Sequence, residues 1–428
     1  MNLADGKIID TKSCDAILET LDERILSTLS KKMLDPETVI TACSRLVRDL
    51  DESFYLETMA GLGINKDLGK IYLDEARLMF DEDSLRARLR IELGDNYGKP
   101  KKFIPSDKTY AVTERTGPLG VLLHVAAGNA DGLPAFSVLE GLLAGNINIL
   151  KLPAVEGGLS VRLLLELIKI EPCLAEYIYV FDYSSRDIEH IARLISIADA
   201  IVVWGGVEAV SAFRKMVDPS IRLIEWGHKV SFAYVTEQGI TDEVLAGLAH
   251  NIVTTGQLLC SSCQGIYVDT DDIEVVHNFC RKFLPILETA MQTGSRELGI
   301  GIKTLVALQI YTEELETVYQ NSKVFKDRNC SLIAYPDRDL KPAVQFGNAW
   351  VKALPRADLL RELRPYKNYL QTAGLLCGEN EREELTQLLW KSGIVRVCPG
   401  ERMSGTYCGA PHDGDYPLRR YTKILCVE

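Results

Sequence analysis

The sequence lacks the features that mark membrane-spanning, secreted and nucleic-acid-binding proteins. It has no stretch of about twenty uninterrupted apolar residues, and its first ten residues carry acidic side chains where a signal peptide has a basic region. Lysine and arginine are not clustered, and the net charge is −12, so no basic surface for a phosphate backbone is expected. We therefore expect a cytoplasmic protein with no membrane span and no nucleic-acid partner.

The eleven cysteines lack the spacing of a disulfide framework, which is typical of a protein from a reducing compartment. Cys260 and Cys263 form one Cys-x-x-Cys pair, but a second pair or a His-x-x-x-His partner is missing, so we expect no metal site. A glycine-rich dinucleotide fingerprint is also missing, because Gly61 and Gly63 lack a third glycine and follow no predicted strand.

The sequence does contain a regular alternation of strand and helix patterns. Residues 12–93 have helical periodicity, and residues 102–127 predict an extended pair of strands turned at 116–118. Short apolar strands separated by helical stretches follow at residues 147–150, 177–181, 200–203, 222–224 and 231–235. This order is typical of a parallel, doubly wound sheet.

A second alternation begins at residue 242, with strands predicted at residues 266–268, 331–335, 370–376 and 394–397. Because 428 residues exceed what one hydrophobic core normally serves, we predict an α/β protein with two doubly wound domains. The predicted domains are residues 1–224, with a helical N-terminal region, residues 225–398, and a tail of residues 399–428. The alternating apolar end of the tail predicts a strand that returns to the first domain or to a partner subunit.

The stretch from residue 223 to residue 268 places a carboxylate and a thiol at loop ends. Glu225 stands beside a Trp-Gly turn, and Cys260 stands between a Gly-Gln turn and an apolar strand. Cysteine is the best side-chain nucleophile at neutral pH when it is accessible and partly ionised. Most cysteines are instead small buried hydrophobic residues, so this stretch alone leaves both interpretations open.

Several motifs resemble the aldehyde dehydrogenase superfamily in order and spacing. They are TGPLGVLLHVAAGNADGLP (116–134), GNINILKLP (145–153), EWGHK (225–229) and GQLLC (256–260). A closer resemblance, to the LuxC-type acyl-CoA reductases, is carried by CSSCQ (260–264), YLQTAGL (369–375), RVCPGERM (396–403) and PHDGDYPL (411–418). The likeness implies an aldehyde-dehydrogenase-like fold for most of the chain beyond about residue 100.

The resemblance implies a nicotinamide cofactor on the first domain. Lys151, at the carboxyl end of a predicted buried strand, would hydrogen-bond the adenosine ribose. Ala154 stands where the superfamily often has a carboxylate that disfavours a 2′-phosphate, so NADP(H) is favoured over NAD(H). Trp204, Gly205 and Gly206 would let a pyrophosphate approach a helix N-terminus, although a tight strand-to-helix turn explains these residues equally simply.

The resemblance also implies roles in covalent catalysis. Cys260 would be the nucleophile, and Asn129 with the Cys260 backbone N–H would form an oxyanion hole; a helix-capping Asn is the structural alternative. Glu225 corresponds to the general base of the aldehyde-oxidising members, and in a reductase it could instead move a proton. Cys263, where the reductases have proline, is expected to be inert. Further candidates for closing the site or contacting coenzyme A are His412, Asp413 and His228.

The leading hypothesis is an NAD(P)H-dependent acyl-CoA reductase, in which an acyl group passes from coenzyme A to Cys260 and is released as an aldehyde after hydride transfer. The first alternative is a hydrolytic NAD(P)-dependent aldehyde dehydrogenase that uses Glu225. The second is a non-catalytic NAD(P)-binding subunit. We expect a homodimer or homotetramer with acyl-CoA as its substrate, and acyl-transfer proteins are further candidate partners.

Overall fold

The structure is a computed structural model that describes residues 1–61, 64, 66–126, 132–153, 158–294 and 298–428. The chain forms two compact units. The first comprises Met1–Thr58, Tyr72–Gly227 and Tyr407–Glu428, and the second comprises Met59–Ile71 and His228–Thr406. The domain boundaries expected before residues 225 and 399 remain predictions, because residues that pack together need not fold as a separate domain.

The helices are α1 (Thr11–Glu19), α2 (Leu21–Leu29), α3 (Pro36–Arg48), α4 (Glu52–Gly61), α5 (Lys66–Phe80), α6 (Glu82–Leu93), α7 (Leu133–Leu143), α8 (Leu159–Ile170), α9 (Ile188–Ile197), α10 (Val207–Met216), α11 (Asp242–Thr255), α12 (Ile273–Gly294), α13 (Ile300–Gln320), α14 (Leu359–Leu363), α15 (Glu379–Ser392) and α16 (Pro417–Arg420). Four helices follow a capping residue whose side-chain oxygen accepts a hydrogen bond from a backbone N–H group of the first turn, which has no partner inside the helix. The capping residues are Asp10, Asp35, Asp81 and Thr241. Within the described ranges, every helix is too short or too polar to cross a lipid bilayer.

The strands are β1 (Asn2–Ala4), β2 (Lys7–Ile9), β3 (Lys101–Phe103), β4 (Val112–Pro118), β5 (Val121–Val125), β6 (Ile147–Lys151), β7 (Ile178–Phe181), β8 (Ala200–Trp204), β9 (Arg222–Trp226), β10 (Val230–Val235), β11 (Cys263–Val268), β12 (Lys323–Lys326), β13 (Ser331–Tyr335), β14 (Asn348–Ala353), β15 (Leu370–Leu376), β16 (Arg396–Cys398) and β17 (Thr422–Val427). They form three sheets.

The first unit contains a seven-stranded sheet in the order β2-β1-β7-β6-β5-β8-β9. Strands β5 to β9 run parallel, and β1 and β2 add an antiparallel edge. The parallel strands are almost wholly apolar because helices cover both faces of such a sheet. The chain order reverses between β5 and β8, and the carboxyl ends of strands at such a point are where open α/β sheets bind ligands.

The second unit contains another seven-stranded sheet, in the order β12-β13-β14-β11-β10-β15-β16. All its strands run parallel except β12, which pairs antiparallel with β13. The predicted α/β class with two doubly wound sheets is confirmed. Strand β11, which follows the candidate nucleophile, occupies the centre of this sheet.

A small third sheet, in the order β17-β4-β3, corrects one prediction. The two strands expected to pair on either side of residues 116–118 exist as β4 and β5, but they lie in different sheets. β4 pairs antiparallel with the tail strand β17, and β5 enters the parallel sheet. Gly120, at φ 136°, redirects the chain between them, where a Cβ atom would collide with the Asp199 carboxylate.

Candidate active site

Cys260 lies in a turn between α11 and β11. The helix ends at two residues with positive φ, Gly256 at 55° and Gln257 at 62°. The Ser262 N–H then donates to the Leu259 carbonyl at 3.0 Å, which closes the turn around Cys260. The Cys260 side chain is partly exposed, as a thiol that reacts with a substrate must be.

The neighbouring thiol of Cys263 is in a different environment. Cys263 is the first residue of β11 and is fully buried. Burial raises its pKa to about 12, with a smaller opposing effect of backbone N–H groups. A thiol with such a pKa is not ionised at neutral pH, so the local environment favours Cys260 as the nucleophile.

Gln257 anchors the turn to the second sheet. Its side-chain Nε2 donates to the carbonyls of Cys263 at 2.9 Å and Asn348 at 3.3 Å, and its Oε1 accepts from the Gly347 N–H at 3.0 Å. The Gln264 side chain donates to the Gln257 carbonyl at 2.7 Å. These bonds hold a buried residue at positive φ, a conformation that is rare outside glycine. The turn that carries Cys260 is therefore fixed to β11 and β14.

Two further contacts come from the strands on the other side of β11. The Gln371 Nε2 lies 3.2 Å from the Cys260 Sγ, and the Ser231 hydroxyl donates to the Cys260 carbonyl at 2.7 Å. Ser231 and Gln371 are each the second residue of their strand, in β10 and β15. The thiol therefore lies at the amino-terminal edge of the parallel sheet.

Glu225 lies in β9 of the first unit and forms an ion pair. Its two carboxylate oxygens accept from the Nε and the terminal nitrogen of Arg214, both at 2.5 Å. The flanking residues Ile224 and Trp226 are buried, and side chains alternate along a strand. Glu225 therefore points to the opposite sheet face, where Arg214 of α10 meets it.

Lys151 ends β6 at the carboxyl edge of the first sheet. Its side chain is almost fully buried, and its Nζ donates to the Ser185 hydroxyl at 2.9 Å. Burial lowers the pKa of Lys151, while Asp182 opposes that effect. A buried amine that points to this edge, beside the reversal of strand order, is suited to hydrogen-bond a nucleotide.

Trp204, Gly205 and Gly206 form the turn from β8 into α10. The Trp204 ring is buried, and its Nε1 donates to the Ser137 hydroxyl at 2.9 Å, so it packs in the interior. The Gly205 N–H donates to the Trp226 carbonyl at 3.2 Å. Gly206 caps α10, and a Cβ atom there would meet nothing within 4 Å. The backbone at Gly206 is thus the part of this turn with room for a pyrophosphate.

His412 and Asp413 lie in a turn of the tail that packs on the first unit. The His412 ring lies 5.1 Å from the Trp204 ring and 5.0 Å from the Trp226 ring. Asp413 adopts φ 50°, and its carboxylate lies 3.9 Å from the His412 Nε2. His228 is an exposed residue of the second unit. The His412 contacts are those of a packed aromatic cluster.

The predicted site residues are divided between the two units. The first unit holds Lys151, Trp204, Gly205, Gly206, Glu225, His412 and Asp413, and the second holds His228, Cys260 and Cys263. Asn129 and Ala154 lie outside the described residues, so their predicted roles stay predictions. Among the described residues, no group of three or more His, Cys, Asp or Glu side chains is arranged to hold a metal ion.

Sequence reasoning did not find three residues that contact the candidate catalytic groups: Arg214, Ser231 and Gln371. Gln371 stands inside the YLQTAGL motif, so the motif was a usable signal for it. Arg214 and Ser231 belong to no quoted motif. The packing of α10 on β9 brings Arg214 to Glu225, and the register of β10 brings Ser231 to Cys260.

A cavity of about 640 Å³ lies beneath α13 in the second unit. Its lining is mixed, with the apolar residues Val306 and Ile310 of α13 and the charged residues Lys303, Glu314, Lys326, Asp327 and Arg328. Gly256 and Asn348 also line it, and these two residues adjoin the buried Gln257 side chain that anchors the Cys260 turn. A cavity of this size is within the range of small-molecule sites, roughly 300–1,000 Å³.

Comparison with known proteins relates this chain to a family. A family model described as acyl-CoA reductase (LuxC) matches residues 35–424. The chain belongs to the acyl-CoA reductase (LuxC) family. One relative of this LuxC-family chain is the long-chain acyl-protein thioester reductase of Aliivibrio fischeri, 23% identical over 387 residues that span 88% of this chain and 77% of that protein.

Solved structures share the fold of the LuxC-family chain. The 3,6-anhydro-L-galactose dehydrogenase in complex with NAP aligns with a TM-score of 0.72 at 14% identity, over 100% of this chain and 99% of that one. An NAD-dependent benzaldehyde dehydrogenase from Corynebacterium glutamicum aligns with a TM-score of 0.72 at 13% identity, over 96% and 89%. The predicted aldehyde-dehydrogenase-like fold is therefore confirmed.

Proposed function

We propose that the protein reduces acyl thioesters to aldehydes with NAD(P)H, through an acyl group carried on Cys260. The observation that carries this proposal is the partly exposed Cys260 thiol, held in an anchored turn with the Gln371 amide 3.2 Å from its sulfur. Membership of the acyl-CoA reductase (LuxC) family supports the same reaction. The burial of Cys263 supports the choice of Cys260.

In this mechanism the Cys260 thiolate attacks the thioester carbonyl carbon. The carbon–sulfur bond of the substrate breaks, and the departing thiolate takes up a proton. The acyl group is then a thioester on Cys260, and its carbonyl carbon would be reduced by the hydride that a bound nicotinamide cofactor would supply. The resulting hemithioacetal oxyanion would then collapse, expelling the Cys260 thiolate and releasing the aldehyde. The Cys260 backbone N–H and Asn129 are proposed to stabilise the tetrahedral oxyanion.

The cofactor is proposed to bind at the carboxyl edge of the first sheet. The Lys151 amine, at the end of β6, would donate to the adenosine ribose. The backbone at Gly206, where no neighbouring atom fills the space, would leave room for the pyrophosphate. Nicotinamide chemistry is supported by the fold relatives named for NAD and NAP. The preference for NADP(H) stays a prediction that depends on Ala154.

The ion pair between Arg214 and Glu225 favours reduction over hydrolysis. A general base must accept a proton from water, and both Glu225 oxygens already accept hydrogen bonds from a guanidinium. Water attack on the acyl-enzyme would give an acid, so a carboxylate whose two oxygens are occupied by Arg214 protects the intermediate. This argues against the alternative of a hydrolytic aldehyde dehydrogenase.

Coenzyme A is proposed as the leaving thiol, and a protein thiol would serve the same chemistry. The relative from Aliivibrio fischeri is named for acyl-protein thioesters, and the attack on the carbonyl carbon is the same for either carrier. The acyl chain is proposed to enter the cavity beneath α13, along its apolar residues Val306 and Ile310, because that cavity lies beside the anchor of the Cys260 turn.

The proposal is tested by acylation without reductant. The protein is incubated with acetyl-, butyryl- and tetradecanoyl-CoA, and the acylated peptide is identified by mass spectrometry. We expect acylation at Cys260, none in Cys260→Ala, and wild-type acylation in the matched variant Cys263→Ala. Acylation at Cys263, or the absence of acylation with every thioester, would contradict the proposal.

A further inference from the structure

Strand β10 is flanked by two irregular strands at the position of Ser231. Towards β11, Ser231 pairs with Cys263 and Ala233 pairs with Ile266, so two steps along β10 match three along β11. Towards β15, Val230 pairs with Leu370 and Phe232 pairs with Ala373, so two steps along β10 again match three steps along the neighbouring strand. Each neighbour of β10 therefore carries one extra residue. Such bulges are uncommon between parallel strands, and they re-aim side chains next to active sites.

The bulge in β15 falls on Gln371 and Thr372, and Ser231 compensates for it. The Thr372 N–H donates to the Ser231 hydroxyl at 3.0 Å instead of to a strand carbonyl. The same hydroxyl donates to the Cys260 carbonyl at 2.7 Å. A single serine thus joins the irregular segment of β15 to the backbone of the Cys260 turn.

The extra residue in β15 presents the Gln371 side chain to the thiol. Gln371 is 5% exposed, and its Nε2 lies 3.2 Å from the Cys260 Sγ. An amide N–H is a donor, and a thiolate is a stronger acceptor than a thiol, so this contact favours the charged form. We propose that Gln371 positions and activates Cys260, an inference that rests on the proposed function and names a further residue of its site.

The test must distinguish the effect of Gln371 on the thiol from the effects of other groups near this edge. The Lys229 amine donates to the Asn368 carbonyl at 2.9 Å, beside the start of β15, and is a charged group of this edge. Thr372 offers a matched control, because its hydroxyl makes no hydrogen bond with the described residues and Thr372→Val keeps the backbone N–H.

The experiment measures iodoacetamide alkylation of Cys260 in the full-length protein as a function of pH, with peptide mapping to identify the modified residue. Gln371→Leu removes the donor, and we expect the midpoint of the alkylation profile to rise by about one pH unit. At neutral pH the rate falls by only about threefold, because a more basic thiolate is also more nucleophilic. Gln371→Glu places a carboxylate beside the sulfur and should raise the midpoint further than Gln371→Leu. Thr372→Val should leave the midpoint unchanged.

Equal midpoints for the wild type, Gln371→Leu and Gln371→Glu would overturn the inference, as would an equal shift in all three variants including Thr372→Val. Thermal unfolding of each variant separates a specific effect on the thiol from a general loss of structure. Alkylation needs no acyl substrate, so its result can be distinguished from the result of the acylation experiment. If the alkylation midpoint rises from the wild type to Gln371→Leu and further to Gln371→Glu but no thioester acylates the protein, only the proposed function is contradicted. If Cys260 is acylated but the midpoint is the same in these proteins, only the role of Gln371 is contradicted.

Discussion

Glu225 and Arg214 show how one contact changes what a residue can do chemically. The pair is partly exposed, with 21% of the Glu225 side chain and 66% of the Arg214 side chain accessible. Such an exposed pair contributes little to the free energy of unfolding. It nevertheless occupies both oxygens of the carboxylate that the sequence motif presents as a general base. Its effect is therefore expected in the products and not in stability.

Arg214→Gln should release Glu225 and increase hydrolysis of the acyl-enzyme. A freed carboxylate can take a proton from water, and general bases typically contribute 10²–10⁴-fold, so we expect at least a roughly tenfold faster loss of the acyl group without reductant. The measurement is release of tetradecanoic acid from the protein acylated with tetradecanoyl-CoA.

Lys215→Gln is the matched control, because Lys215 is the exposed neighbour on the same helix. The double variant Arg214→Gln with Glu225→Gln should lose the gain in hydrolysis. If Arg214→Gln hydrolyses the acyl-enzyme at the wild-type rate, or if the double variant keeps the faster rate, the ion pair does not control the fate of the intermediate.

At the residue scale, the sequence predicted chemical groups better than their contacts. Cys260 could be selected from a motif because its residue type and local turn are encoded nearby. Its contacts with Gln371 and Ser231 could not be predicted, since these residues are 111 and 29 positions away. Those contacts depend on the register of three parallel strands, and a one-residue bulge in a strand leaves no periodic signal in the sequence.

At the scale of elements, most strands of the two parallel sheets were predictable, whereas β14 of the second sheet and the short or redirected strands were not predicted. The predicted strands of both parallel sheets are present because buried strands require continuous apolar runs. The three-residue strands β1 and β2 are too short to show a period. The turn at residues 116–118 has the composition of a hairpin, yet β4 pairs with β17, which lies about 300 residues further along the chain and was not paired with it in the prediction.

Helix α13 has an unusual distribution of apolar residues. Its outer side exposes Leu305, Leu308 and Leu315, each by more than half of its surface. Its inner side, with Val306 and Ile310, borders the cavity of about 640 Å³. A helix that packs over open volume in this way is suited to cover an apolar ligand.

Val306→Trp should fill part of this cavity and shorten the acyl chain that the enzyme accepts. We expect the ratio of kcat/KM for tetradecanoyl-CoA to that for butyryl-CoA to fall by about tenfold, because a filled pocket excludes the longer chain at a cost of about 1–3 kcal/mol. Leu308→Trp, on the exposed side of the same helix, should leave the ratio unchanged. An unchanged ratio in Val306→Trp would show that the chain lies elsewhere.

At the scale of the whole molecule, composition and alternation predicted the fold class, and the motifs predicted the family. The tail was predicted to return to the first domain or to a partner subunit, and Tyr407–Glu428 packs with the first unit, but the residues that it contacts there were not predicted. Buried contacts explain that return. The Leu418 N–H donates to the Glu92 carboxylate at 2.7 Å, and the Tyr421 hydroxyl donates to Glu140 at 3.2 Å. Such contacts join residues about 280 to 330 positions apart, beyond the reach of local patterns.

The tail strand β17 has a surface that a single chain leaves exposed. It ends the three-stranded sheet, and Ile424, Leu425 and Val427 are exposed by 67%, 61% and 54%. An apolar edge strand of this kind tends to pair with another chain. Pairing with a second copy about a twofold axis would cover both edges at once, which is consistent with the predicted homodimer or homotetramer.

Ile424→Glu should weaken this association, because each interface would then bury two unpaired carboxylates, one from each copy. We expect light scattering at micromolar concentration to give a dimer or tetramer for the wild type and a smaller species for Ile424→Glu. Lys102→Glu adds negative charge to β3 at the opposite edge of the same sheet and should leave the mass unchanged. A wild-type monomer would refute the predicted oligomer, whereas an Ile424→Glu variant that keeps the wild-type mass would place the interface on another surface, since an edge strand that still pairs would not tolerate facing like charges.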